Sequence, residues 1–230
     1  MTLKVLSSGS SGNCYLLESD TECLVIEAGL PFMKVKKALN FNIRKIVGVI
    51  VTHCHKDHAG YISEYEKTGI QVYRAYDIEE WNDEKMKYYS VGMGNFKFKP
   101  FPLVHDVPCY GFWIHHPEMG KMVYVTDTEY CPKRFKDLHH ILVEANYSEE
   151  FINNDAINRN HVLQGHMSLK TALDFISVND SPELRNVILL HLSGENANAE
   201  LFRQQATKVT NKQVYIAEEG LEVDLNLCPF

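Results

Sequence analysis

KIVGVIVTHCHKDHAG, residues 45–60, joins two unlike patterns. Its first eight residues are almost continuously apolar, the pattern of a strand covered on both faces. The residues that follow place three histidines and an aspartate, His53, His55, Asp57 and His58, within six positions. Imidazole is a good donor to zinc, and a carboxylate binds a cation or steers a bound water. In an extended segment alternate side chains point oppositely and cannot share one ion. A sharp turn after the strand would let them serve two. A polar surface loop is the bland alternative, and it leaves this density of donors at a strand end unexplained.

Outward from this stretch, the first quarter of the chain reads as short strands, LKVLSSG (3–9), NCYLLES (13–19) and ECLVIEAG (22–29), separated by Gly, Ser and Asp. PFMKVKKALNF (31–41) reads as a helix with Pro31 at its first position and Phe32, Val35 and Leu39 on one face. Downstream, GIQVYRAY (69–76), FKFKPFPLVH (96–105), YGFWIHH (110–116), KMVYVTD (121–127), ILVEANY (141–147) and VILLHLS (187–193) read as strands. DIEEWNDEKM (77–86), HMSLKTALDFISV (166–178) and NAELFRQQATKV (198–209) read as helices, and QVYIAEEGLEVDL (213–225) as closing strands. No repeat or low-complexity linker divides the chain. Two strand-rich halves, each covered by helices, predict a four-layer αββα sandwich of the α/β class, in one domain over residues 1–230.

The composition is that of an ordinary globular chain, 45% hydrophobic and 23% charged over 230 residues, which excludes a disordered tail or a fibrous repeat. Lys plus Arg number 23 against 30 Asp plus Glu, a formal net charge of −7, so a broad basic face for long duplex nucleic acid is not expected. No apolar run approaches the ~20 residues of a membrane span. The start lacks the pattern of a secretory signal. The six cysteines form no Cys-x-x-Cys pair and read as reduced thiols, so the expected compartment is the cytoplasm.

His53-x-His55-x-Asp57-His58 after an apolar strand resembles the signature of the metallo-β-lactamase superfamily. The family's further motifs follow in order, each at a strand end: His105 in PLVHD, Asp127 in VYVTDT and His191 in LLHLS. The resemblance implies two divalent metal ions, zinc by preference with manganese or iron as alternatives. His53, His55 and His105 would hold the first, and Asp57, His58 and His191 the second, with Asp127 bridging. It also implies a hydroxide shared by the two ions, available at neutral pH and oriented by Asp57. His166, in GHMS (165–168), resembles the histidine of ribonuclease Z assigned to protonating the leaving oxygen. A structural histidine at a helix start is its alternative reading.

SSGSSGN (7–13), VEANY (143–147), GHMS and HLSGENANAE (191–200) resemble the YycJ (WalJ) group within that superfamily, whose members are treated as DNA exonucleases. Two departures stand out: Glu27-Ala28-Gly29 replaces the usual Asp-Ala-Gly, and Met167 replaces Leu. The protruding arm of ribonuclease Z has no counterpart between His58 and His105, which disfavours tRNA 3′ processing. The resemblance therefore implies a phosphodiesterase acting on nucleic acid. The alternative is an enzyme of the phage anti-Pycsar type that opens 3′,5′-cyclic nucleotides, a substrate that needs only a pocket and suits the acidic charge. Thioester hydrolysis and a non-catalytic metal-binding module rank lower. A homodimer, common among relatives, is left open. The Ser7, Ser8, Gly9, Ser10, Ser11, Gly12 loop offers backbone N–H groups to phosphate or simply turns beside the metal loop. Tyr110, Phe112, Trp113 and Tyr147 are candidate base-stacking residues, with core packing the commoner fate of such side chains.

Overall fold

The computed structural model describes residues 1–77, 90–152 and 165–228. The chain opens with β1 (Thr2–Ser7), β2 (Cys14–Glu18) and β3 (Cys23–Ile26), then helix α1 (Phe32–Ala38) and β4 (Ile46–Val51). Two short helices, α2 (Lys56–Ala59) and α3 (Ile62–Glu66), lead to β5 (Val72–Arg74). The second half supplies β6 (Val91–Met93), β7 (Phe96–Leu103), β8 (Cys109–His116), β9 (Gly120–Val125) and β10 (His140–Glu144). It ends with α4 (Leu169–Asn179), β11 (Asn186–Leu190), α5 (Ala199–Thr210), β12 (Gln213–Ile216) and β13 (Glu222–Asp224).

The strands form a six-stranded sheet, β13-β1-β2-β3-β4-β5, and a seven-stranded sheet, β12-β11-β10-β9-β8-β7-β6. Both are mixed. β3, β4 and β5 run parallel, as do β9, β10, β11 and β12, while the remaining pairs are antiparallel. Parallel neighbours need a crossover. α1 joins β3 to β4, α4 lies between β10 and β11, and α5 between β11 and β12.

The period-2 alternation of the strands builds three apolar layers. Leu17, Leu24, Ile26 and Ile50 meet Phe98, Phe112, Tyr124 and Leu142 between the sheets. Val25, Val49 and Val51 point outward onto Phe32, Val35 and Tyr65 of the first helical layer. Val123, Ile141, Val143 and Leu189 do the same onto Leu169, Phe175 and Phe202 of the second. The four-layer αββα arrangement is thus as expected, and β4 is covered on both faces as its apolar run implied. No described helix is long and apolar enough to cross a membrane. All six cysteines are free.

Three expectations need amendment. Pro31 caps α1 instead of occupying its first helical position, because its ψ of 132° is extended. The closing strands do not stay together: β12 joins the second sheet, and a turn through Gly220 at φ +88° sends β13 across to pair with β1 in the first. Phe112, Tyr110 and Tyr147 are buried, so these three rings serve packing; Trp113 is half-buried and stacks on His115. The helix expected from Asp77 lies, beyond that residue, outside the described residues.

His140 is buried beside β9, with its Nε2 3.0 Å from the Met119 carbonyl and 3.2 Å from that of Leu225. Nε2–H donates there, and the Asn186 amide donates to Nδ1 at 3.1 Å. The ring is therefore held neutral, and burial pushes its pKa down to about 4. The unfolded chain takes up a proton at pH values where the folded one does not. Stability on the order of 3 kcal/mol is then present above about pH 6.5 and lost as the pH falls toward about 4. Urea unfolding across this window should show a steeper acid loss for the wild type than for His140→Gln; equal slopes would assign the loss to other groups.

Candidate metal centre

The C-terminal ends of co-directional strands meet at one edge of the sandwich, and most residues of the candidate site leave from there. Glu27 follows β3, Thr52 and His53 follow β4, and His105 lies just beyond β7. Asp127 follows β9, Glu144 ends β10 and His191 follows β11. Glu27 (φ 68°), Asp127 (φ 49°) and His191 (φ 54°) adopt the left-handed region that non-glycine residues seldom occupy. These three conformations turn the side chains back over the strand ends.

The turn required after His53 is made by α2, with His55 at its N-cap. One helical turn brings Asp57 and His58 round to the other side of the cluster. Its backbone is fastened from two sides: Asn13 N–H donates to the Asp57 carbonyl at 2.7 Å, and Ala28 N–H to the His58 carbonyl at 2.7 Å. Gly29 permits this approach, since a Cβ there would lie 1.7 Å from the Asp57 carbonyl oxygen.

All seven expected ligands converge. Ligand atoms of His53, His55, His105 and Asp127 lie within 4.8 Å of one another, and so do those of Asp57, His58, Asp127 and His191. Asp127 belongs to both sets. Its Oδ2 is 3.7 Å from His53 Nε2 and 3.3 Å from His58 Nε2. His55 Nδ1 and His105 Nε2 are 3.3 Å apart, and His191 Nε2 is 3.9 Å from Asp57 Oδ2. His53 Nε2 and His191 Nε2 are buried without a hydrogen-bond partner among the described residues. Orphaned polar atoms of this kind are costly, and a cation in each set would satisfy them. The donor set, imidazoles with carboxylates, fits a borderline divalent metal such as zinc.

Buried carboxylates stand behind the imidazoles, and one of them sets a tautomer. Thr52 Oγ1 donates to Glu27 Oε1 at 2.8 Å, so at its 2.8 Å contact with His53 Nδ1 it accepts. That places the His53 proton on Nδ1 and leaves the Nε2 lone pair facing the cluster. The same Glu27 oxygen lies 3.3 Å from His58 Nδ1. Glu27 therefore keeps a carboxylate function here, as the usual aspartate would. On the other side Glu144 Oε1 lies 2.6 Å from His166 Nδ1 and 3.3 Å from His191 Nδ1. Its second oxygen accepts from the N–H groups of Thr128 and Met167, both at 3.2 Å. Asp127, Glu144, His166 and His191 form a third close set. The His166 ring stacks on that of His191 with centroids 5.2 Å apart.

Glu144 was not singled out in the sequence, although a carboxylate ending the apolar run ILVE is the same signal as Asp127 ending VYVTD. Asn13 was also missed; its amide lies 2.9 Å from His58 Nε2 and 3.4 Å from Asp57 Oδ2. The serine–glycine loop turns beside the metal loop. Ser8 Oγ accepts from His191 N–H at 2.9 Å, while Gly9 and Gly12 spend their N–H groups inside the loop.

The electrostatics follow from crowding. Burial, reinforced by His58, pushes the His53 pKa down to about 2. Burial works the same way on His191, but Asp127, Asp57 and Glu144 outweigh it and hold that ring up at about 10. His58 is likewise held high against burial by Asp127 and Glu27. Burial disfavours charge on Asp127 and Asp57, yet the imidazoles around them keep both well below the usual carboxylate range. Buried negative charge here is balanced by protons on histidine, and a divalent cation would take over that role.

A family model for the Metallo-beta-lactamase superfamily matches residues 8–130, more than half of the chain. The chain belongs to the Metallo-beta-lactamase superfamily. Among curated superfamily proteins it is similar to exodeoxyribonuclease YycJ of Bacillus anthracis, 26% identical over 95% of this chain and 92% of that protein. It is also similar to exodeoxyribonuclease WalJ of Streptococcus pneumoniae, 25% identical over 97% of this chain and 91% of that one. Its fold is similar to that of the metallo-beta-lactamase fold protein YhfI from Bacillus subtilis, with a TM-score of 0.71 and 20% identity over 96% of this chain and 98% of that one. The resemblance to the YycJ (WalJ) group read from SSGSSGN, VEANY and HLSGENANAE is therefore upheld.

Gly29→Ala should force the Asp57 loop and Asn13 apart, because both obstacles to the new methyl group are backbone. We expect about 1–3 kcal/mol of lost stability together with reduced bound metal, read by thermal unfolding and elemental analysis. Full metal content in a folded variant would show that this docking is dispensable.

Proposed function

We propose that this protein is a metal-dependent phosphodiesterase that cleaves nucleic acid, working as one domain over residues 1–230 with zinc as the preferred metal. The observation that carries the reading is the pair of donor sets sharing Asp127. Similarity to two exodeoxyribonucleases along nearly the whole chain supports the substrate class.

In this reading His53, His55 and His105 would hold one cation and Asp57, His58 and His191 the other, with Asp127 common to both sets. A bound pair of divalent cations supplies Lewis acidity to the phosphoryl oxygens and activates water at neutral pH. The chain's own residues do the rest. Glu27, through Thr52, keeps His53 in the tautomer that turns Nε2 inward, and Glu27 and Glu144 set negative charge beside Nδ1 of His58 and His191. Asp57, held ionised by His191 and His58 against its burial, accepts a hydrogen bond from the attacking water and orients it. His166 donates the proton to the leaving oxygen from Nε2. Its Nδ1 is held by Glu144, whose charge outweighs burial and keeps the ring pKa above the ordinary imidazole value. A raised pKa favours the protonated form of His166, the form an acid needs. The net charge of −7 and the single concentrated site favour short ends over long duplex tracts.

Asp127→Ala removes the carboxylate common to both sets. Bound metal should fall, and hydrolysis of bis-p-nitrophenyl phosphate should be lost; hydrolysis at the wild-type rate would refute the two-cation reading. His166→Ala should slow DNA cleavage by about 10²–10⁴-fold while sparing the p-nitrophenyl ester, whose leaving group needs no proton. Equal losses on both substrates would remove His166 from the acid role. A panel of linear single- and double-stranded DNA against 3′,5′-cyclic nucleotides separates a nuclease from a cyclic-nucleotide phosphodiesterase.

A further inference from the structure

A histidine can face a cation with only one ring nitrogen, and the partner of the other fixes the tautomer. In the cluster, Thr52 does this for His53, while Glu27 and Glu144 each place a carboxylate oxygen 3.3 Å from Nδ1 of His58 and of His191. For His55 the inward atom is Nδ1, 3.3 Å from His105 Nε2, so Nε2 is the outward one. The Oδ1 atom of Asp106 lies 3.4 Å from that Nε2. The same oxygen is 3.1 Å from His105 Nε2. Among the cluster's imidazoles, these contacts of Asp106 fall on the His53, His55, His105 set.

We propose that Asp106 is a positioning residue that fixes the His55 tautomer and so strengthens one cation of the pair selectively. The proposal rests on the metal-centre reading above. It goes beyond that reading because the family resemblance gives Asp106 no role.

Solvent makes this pairing different from the other three. The Asp106 side chain is 51% exposed and that of His55 33%, whereas those of His58 and His191 are 0% and 4% exposed. Glu27 and Glu144 are fully buried. Water competes for a half-exposed carboxylate and weakens its hold on the imidazole. In the same set, His105 Nδ1 is buried without a hydrogen-bond partner among the described residues, so no buried group holds the His105 ring from behind. The His53, His55, His105 set is thus the less rigid one, and its cation is the more readily exchanged.

The test is titration of metal-free, full-length protein with cobalt(II), following visible absorption and bound metal after equilibrium dialysis. The wild type should take up two unequal equivalents. Asp106→Ala should weaken the second by about 10–100-fold and leave the first unchanged. Asp106→Asn, which keeps an acceptor oxygen, should stay within a few-fold of the wild type. Nitrogen-15 ring shifts of the metal-free protein should give His55 as the Nε2–H tautomer in the wild type and a mixture in Asp106→Ala. Loss of both equivalents in Asp106→Ala, loss of neither, or equal damage by Asn and Ala each overturns the positioning role. A wild type that binds no cobalt overturns the metal-centre reading, and this proposal with it. Two bound equivalents with an unaffected Asp106→Ala overturn only the role of Asp106.

Discussion

The carboxylate of Asp127 is buried among imidazoles, and the surrounding structure is organised to keep it there. Thr126 donates to its Oδ1 at 2.7 Å, its backbone is left-handed, and its Oδ2 faces His53 and His58. An isolated carboxylate in such a place would cost far more than folding can offset. Compensating groups are therefore required around it, and the fold supplies them from five other strand ends. Because the strands that carry them run in one direction, their ends collect at a single edge of the sandwich. The three apolar layers give this edge its rigidity, since β3, β4, β9, β10 and β11 are covered on both faces.

The rigidity is then passed to the imidazoles through two buried glutamates. Glu27 reaches His53 through Thr52 and reaches His58 directly, while Glu144 holds His166 and His191. Each of these two carboxylates couples two histidines on neighbouring elements. Glutamate in place of the family's usual aspartate at position 27 is consistent with this reach, since one side chain spans to both Thr52 and His58. Asp106 differs from them in being half-exposed.

What the sequence made legible was the part written as local pattern. The apolar run before His53 announced a strand covered on both faces, and the density of donors after it announced a site. Ser168 and Asn198 cap their helices as their residue types suggest, each accepting from the N–H three residues on. What stayed hidden depends on long-range geometry. Glu144 is one acidic letter after an apolar run until the fold sets it against residues 22 and 47 positions away. Asp106 beside His105 reads as an ordinary polar loop until α2 brings His55 to it. The left-handed backbones of Glu27, Asp127 and His191 have no signature in residue type, because glycine or asparagine is the usual occupant. The separation of β12 from β13 was hidden for a related reason: both read as strands, and pairing partners are not encoded in either segment alone.

The crossing of β13 has a consequence for how the molecule comes into being. Thr2 pairs with Asp224, so the first strand waits for a partner made more than two hundred residues later. Until residues 222–224 leave the ribosome, the outer edge of β1 offers unpaired N–H and C=O groups beside apolar Leu3 and Val5. Such edges recruit other chains. Contacts this distant along the sequence are also slow to close. The nascent chain thus carries one sheet unfinished until β13 emerges, and that short strand both seals the edge and joins the two halves of the fold.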